Sequence, residues 1–246
     1  MFADPPVLCG HRGSGRGEGE KTLGSYRAAV EAGVRWVEVD ARINADDVLV
    51  ARHDPIVEDG RFIAELASTE TDDLGLMRVA DLLEELPTEV GVNIDVKSSL
   101  EDAARPRERT TGALVADLAR REGERRQMLV SSFDPSVLMI TRERSPETPL
   151  GFLTWLWFPL RKAIAGAAHL GVDVVAPHVG SFQLDNRDGP KLERPPAESV
   201  RVAHEAGLEV VVWCPEPAEA EQLAAAGVDC LVVDDVPAAL RGGGFR

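Results

Sequence analysis

Short β-branched runs recur along this chain, each followed by a longer stretch rich in Ala, Leu and Glu, and this alternation is the strongest constraint on the fold. Eight runs read as strands: 7–11, 34–40, 91–97, 128–132, 149–153, 172–177, 208–213 and 228–233. Parallel strands joined through helices form βα units, and eight such units close on themselves as a (β/α)8 barrel. The length agrees, because a barrel of this kind takes about 250 residues and the chain has 246. The expected fold is an α/β TIM barrel, a single domain over residues 1–246. A ninth short run, 48–51, follows the turn-like Asn-Ala-Asp-Asp at 44–47 and should form a hairpin with the end of the second strand. Residues 69–86 read as a small helical excursion after it.

Composition narrows the classes of function. The net charge of −15 repels polyanions over most of the surface, so a nucleic-acid partner is not expected. Cys9, Cys214 and Cys230 are odd in number, far apart in sequence and without a Cys-x-x-Cys pair, which speaks against a disulfide framework or a zinc knuckle. No run reaches the roughly 18–20 apolar residues of a membrane span, and the first residues lack the pattern of a signal peptide. Cytoplasmic residence is the expectation. Residues 151–160 gather Phe152, Trp155, Trp157 and Phe158 in a chain with only 5% aromatics. They read either as a strand leading into a packed helix or as part of the barrel mouth, touching an apolar substrate tail or, peripherally, a membrane surface.

Period two along a barrel strand decides which residues can share a site. In Val37-Glu38-Val39-Asp40 the valines take one face and the acids the other. The third strand repeats this, with Val92, Ile94 and Val96 opposite Asn93, Asp95 and Lys97. Glu38, Asp40, Asp95 and Lys97 should therefore meet inside the barrel, near the carboxyl ends where barrel active sites lie. Three interior carboxylates repel one another unless cations neutralise them. Either Lys97 and interior arginines do so, or a divalent ion does. All-oxygen ligands favour a hard ion, Mg²⁺ or Ca²⁺.

Two histidines follow strand runs, in Gly10-His11-Arg12-Gly13 and His53-Asp54-Pro55. A pair of imidazoles flanking a reacting group can supply both an acid and a base near neutrality. The three carboxylates, a divalent ion, Arg12 and Lys97 together leave one net positive charge, which a phosphodiester would balance. Arg12 would fork onto phosphate oxygens and Lys97 would act as a point charge.

These residues also resemble a known family, the glycerophosphodiester phosphodiesterases. The resemblance runs through Gly10-His11-Arg12-Gly13, Glu20-Lys21-Thr22-Leu23, the stretch from Gly33 to Asp40, His53-Asp54, Asn93-Ile94-Asp95-Val96-Lys97, Ser132-Phe133-Asp134-Pro135, Trp213, and Gly227-Val228-Asp229 with Asp234. It implies a TIM-barrel enzyme that hydrolyses glycerophosphodiesters, or related lysophospholipid-like diesters, to glycerol 3-phosphate and an alcohol. By that resemblance His11 and His53 are the acid/base pair, Glu38, Asp40 and Asp95 bind the metal, and Arg12 and Lys97 hold phosphate. Trp213, inward-facing at the end of the seventh strand run, packs either against a glycerol or alkyl group or in the core, and Glu20 either reaches a substrate hydroxyl or the metal's water or, as an exposed loop acid, does neither. The chain departs from the family pattern in placing Asp95 where Glu is usual, Lys21 for Asn, Cys214-Pro215-Glu216 after Trp213, and Val233 before Asp234. The stretch that normally follows His-Asp-Pro is shortened.

Three rivals use the same residues. A lyase of the phosphoinositide or sphingomyelinase D type would form a cyclic phosphate. A Schiff-base enzyme would use Lys97, although an amine beside three carboxylates keeps its proton. A non-catalytic barrel would bind phosphodiesters without turnover.

Overall fold

The computed structural model describes residues 1–14, 22–182 and 194–242. Along the chain come β1 (Val7–His11), α1 (Leu23–Ala32), β2 (Trp36–Ile43), β3 (Leu49–Ala51), α2 (Ser68–Asp73), α3 (Val79–Glu85), β4 (Gly91–Val96), α4 (Thr111–Glu122) and β5 (Met128–Ser132). They are followed by α5 (Pro135–Arg144), β6 (Leu150–Thr154), α6 (Leu160–Leu170), β7 (Val174–Pro177), α7 (Pro196–Glu205), β8 (Glu209–Trp213), α8 (Pro217–Ala225), β9 (Cys230–Val233) and α9 (Val236–Gly242). Neighbouring parallel strands run β1-β2-β4-β5-β6-β7-β8-β9, and β1 pairs with both β2 and β9. The sheet thus closes into the expected (β/α)8 barrel. Strand β3 lies outside the ring, antiparallel to the end of β2, with Ala41 opposite Ala51. That pairing carries β2 on to Ile43, past the run expected from sequence.

Strands β2, β7, β8 and β9 begin one or two residues later than their apolar runs, for one physical reason. Gly33, Gly171, Gly207 and Gly227 all hold left-handed backbone at positive φ. The next residue in each case, Val34, Val172, Leu208 or Val228, sends its N–H back to a helical carbonyl, on Ala29, Ala167, Ala203 and Leu223 respectively. This is the helix-ending motif in which a glycine reverses the chain and the following apolar residue packs back on the helix. Those residues are buried core, but their backbone groups belong to the helix ends.

Strand alternation divides the apolar residues into two layers. Val37, Val39, Val92, Ile94 and Val130 face outward into a core shared with helix residues such as Leu82, Leu83, Val115 and Leu138. Burying each such side chain stabilises the fold by roughly 1.5–3 kcal/mol. Val7, Cys9, Trp36, Leu129, Leu153, Val174, Val211, Cys230 and Val232 fill the barrel interior instead. Trp36 fits there because its neighbour is glycine: a Cβ on Gly91 would lie 2.5 Å from the indole. Cys9 and Cys230, distant in sequence, lie on adjacent strands in this layer as buried free thiols. Above Trp36 on the same face of β2 stand Glu38 and then Asp40, so the interior turns from apolar to acidic toward the mouth.

Candidate active site at the barrel mouth

Register across three adjacent strands assembles the acidic cluster. His11 of β1 stands opposite Glu38 of β2, and Asp40 opposite Asp95 of β4. Carboxylate oxygens of Glu38, Asp40 and Asp95 lie within 4.8 Å of one another. All three residues are buried. The acids expected from sequence to share one compartment do so.

The turn after β1 brings cations to them. A Cβ on Gly10 would lie 2.2 Å from the Gly13 carbonyl oxygen, so only glycine allows the chain to fold back so tightly. Arg12 takes left-handed backbone at φ 54 within this turn, a conformation that costs a non-glycine residue of order 1 kcal/mol. Its backbone N–H donates to Glu38 Oε2 at 3.1 Å, and its Nε lies 2.8 Å from Asp40 Oδ2. Lys97, just beyond β4, places Nζ 3.0 Å from Asp40 Oδ1 and also donates to Asp95 Oδ2. Arg12 and Lys97, expected to hold phosphate, are thus engaged with carboxylates.

Two oxygens remain unsatisfied. Glu38 Oε1 and Asp95 Oδ1 are buried and have no hydrogen-bond partner among the described residues. A buried carboxylate oxygen without a partner is costly. Burial, followed by repulsion from Asp40, raises the Glu38 carboxyl to about 8. Burial also raises Asp95, whereas at Asp40 the effect of burial is outweighed by Lys97 and Arg12, and the carboxyl is lowered. Three clustered carboxylates with orphaned oxygens fit a hard divalent cation, and no cysteine or histidine atom is needed to complete an oxygen donor set.

His11 stands beside the acids, with Nε2 3.8 Å from Glu38 Oε2. Its other ring nitrogen, Nδ1, is 2.5 Å from Asp234 Oδ1, and Cys214 Sγ lies 3.7 Å away. Burial alone would lower the His11 pKa, but the Asp234 hydrogen bond, aided by Cys214 and Glu38, carries it well above the ordinary value. Neither Asp234 nor Cys214 was among the expected site residues. Period two offered the signal for Asp234, since Cys230 and Val232 of β9 face the interior and Asp234 continues their phase. Cys214 carried no such signal, because its backbone at φ 55 leaves the strand pattern immediately after Trp213.

His53 follows β3, with its Nδ1 2.8 Å from Asp54 Oδ1, and its carbonyl accepts from Arg42 Nε at 2.8 Å. Its pKa is lowered by burial, and it feels the charges of Asp40, Arg12 and Lys97. Trp213 ends β8, donates Nε1 to the Ala176 carbonyl at 3.2 Å and packs edge-on against Phe133 and His178. Phe133 in turn lies under Lys97 Nζ, 5.5 Å from the ring centre. Glu20 and Lys21 lie outside the described residues. Within residues 151–160, β6 ends at Thr154 and α6 begins at Leu160, as expected of a strand leading into a helix, and Trp155, Leu156 and Trp157 between them are exposed.

The closed (β/α)8 barrel thus carries an acidic cluster, flanking cations and imidazoles at its carboxyl-end mouth. The sequence pattern of the Glycerophosphoryl diester phosphodiesterase family matches residues 11–238. The chain belongs to that family. Among solved structures it is similar to an Oleispira antarctica phosphodiesterase in complex with the product sn-glycerol-3-phosphate, with 20% identity, TM-score 0.78, and 96% of each chain covered. A glycerophosphodiester phosphodiesterase from Parabacteroides distasonis shares 20% identity at TM-score 0.77, covering 96% of this chain and 95% of that one. One from Thermotoga maritima shares 19% at TM-score 0.75, covering 97% and 99%. At these identities the likeness is one of fold. No curated protein matches the chain. Among the described residues, no helix is long and apolar enough to cross a membrane.

Proposed function

We propose that this chain, acting as one barrel domain over residues 1–246 in the cytoplasm, hydrolyses glycerophosphodiesters to glycerol 3-phosphate and an alcohol. The observation that carries the proposal is the set of buried carboxylates on adjacent strands, two with unpartnered oxygens, beside a histidine fixed by Asp234. Glu38, Asp40 and Asp95 would hold the divalent cation, Mg²⁺ or Ca²⁺, which when bound polarises the phosphoryl group and offsets developing negative charge. Arg12 and Lys97, already drawn to these acids, sit where an entering phosphate would share them. Asp95, one methylene shorter than Glu, still reaches the cluster because β4 places it directly opposite Asp40.

The histidines differ in a way that suits opposite tasks. His53 has a lowered pKa, so it is neutral at pH 7 and able to take a proton from the attacking water or hydroxyl. His11 is kept charged by Asp234 and can give a proton to the departing alkoxide. Groups whose surroundings push their pKa values apart are the usual source of an acid and a base in one site. Trp213 and Phe133 supply an apolar wall for the carbon portion of the substrate.

The test uses metal-stripped protein, a panel of glycerophosphodiesters including glycerophosphocholine, and phosphorus NMR of the products. Turnover that appears on adding Mg²⁺ or Ca²⁺ and yields glycerol 3-phosphate is expected. A cyclic phosphate as final product would instead assign the lyase chemistry, and binding without turnover would assign the non-catalytic barrel.

A further inference from the structure

Trp155, Leu156 and Trp157 form the connection from β6 to α6 at the barrel mouth, and they are 64%, 47% and 56% exposed. Three consecutive large apolar side chains in water mark a contact surface. The connection has a defined shape. Trp157 holds left-handed backbone at φ 56, which bulky residues avoid unless their surroundings impose it. Its indole sits so close to Gly180 that a Cβ there would lie 2.9 Å from Nε1. Trp155 stacks on Phe133 with ring centres 4.3 Å apart, and Phe133 continues inward to Trp213 and to Lys97. An unbroken aromatic path therefore leads from the exposed tip to the acidic cluster.

Charge says what this tip faces. The chain carries 42 acidic residues, yet none falls between Glu147 and Asp173. Within that acid-free segment, Arg161 and Lys162 are exposed on the first turn of α6, directly after the aromatic tip. Indole rings and leucine beside arginine and lysine are the chemistry of a surface that meets lipid headgroups: the rings enter the interface, and the cations meet the phosphates. We propose that this segment docks the barrel mouth on a phospholipid bilayer, so that the site takes an amphiphilic phosphodiester directly from the membrane surface. The choice of substrate rests on the function proposed above; the docking itself does not.

The experiment uses the full chain with vesicles of phosphatidylcholine alone or with a fifth of anionic phosphatidylglycerol. Co-sedimentation with the vesicles, stronger for the anionic set and weakened by salt, is expected. Vesicles with brominated acyl chains should quench part of the tryptophan fluorescence, because Trp155 and Trp157 enter the interface. Leu156→Asp, and separately the double change Arg161→Glu with Lys162→Glu, should lower vesicle partitioning by about tenfold or more, since withdrawing one large apolar side chain or reversing two charges weakens binding by at least an order of magnitude. Both variants should turn over water-soluble glycerophosphocholine as the parent does, while turnover of vesicle-borne lysophosphatidylcholine falls with binding. Vesicles that do not bind the parent chain, or that bind both variants equally well, would overturn the docking. A parent chain that binds vesicles but leaves glycerophosphocholine intact would count against the proposed hydrolysis and leave the docking standing.

Discussion

Exchanging Glu38 for Gln separates what this carboxylate costs the fold from what it offers a cation. In the absence of metal, burial and Asp40 raise the Glu38 carboxyl from its ordinary 4.5 to about 8. Between those two values the unfolded chain has released the proton while the folded chain retains it. Folded stability therefore falls as pH rises through this window, and the loss is complete above pH 8. At pH 7 the accumulated penalty is about 3 kcal/mol, and at pH 5 it is under about 1 kcal/mol. Glutamine removes the titration and keeps the oxygen that accepts the Arg12 N–H. Metal-free Glu38→Gln should accordingly melt above the parent at pH 7, by about 6–12 °C for a domain of this size, and the gap should shrink at pH 5. Added Mg²⁺ closes most of this gap, because the parent gains about 3 kcal/mol when the ion is at a hundredfold excess over its dissociation constant and the variant gains much less. Scanning calorimetry at pH 5, 7 and 8.5, with chelator and with Mg²⁺, reads all of this. A metal-free variant less stable than the parent at pH 7, or one that keeps the parent's Mg²⁺ response, would refute the reasoning.

The proposed acid/base pair gives three further expectations. Asp234→Asn leaves His11 Nδ1 without its carboxylate partner, so the His11 pKa measured by NMR should fall and turnover should drop by about 10²–10⁴-fold, the span of one proton-transfer contribution. Because the pKa of His53 lies below 6.5 in the fold, activity should hold down to mildly acidic pH and fall only as the imidazole gains a proton; an acid limb that persists in His53→Ala would assign it to another group. Cys214 is only partly buried and its Sγ is 3.7 Å from His11 Nδ1, whereas Cys9 and Cys230 are buried. A maleimide should therefore label one thiol of the native chain and abolish turnover, with mass spectrometry locating the adduct; labelling without loss of activity would place Cys214 away from the working imidazole.

Local pattern carried much of this protein. Alternating strand and helix runs specified the barrel, and period two along β2 and β4 placed Glu38, Asp40 and Asp95 on one face, because side-chain direction in a strand depends only on position parity. The same local logic misjudged where strands begin at Val34, Val172, Leu208 and Val228. There an apolar residue serves the preceding helix end, and hydrophobicity alone does not tell a helix cap from a strand. Closure of the ring was a tertiary decision. It brings β9 beside β1, so that Asp234 and Cys214 reach His11 from the far end of the chain, and no periodicity within one strand contains that pairing. Tertiary packing likewise decided that Arg12 faces Asp40 and that Trp155, Leu156 and Trp157 face solvent. Which side chains meet at the mouth depends on the register of strands remote in sequence, whereas which way each points was already fixed by its place along its own strand.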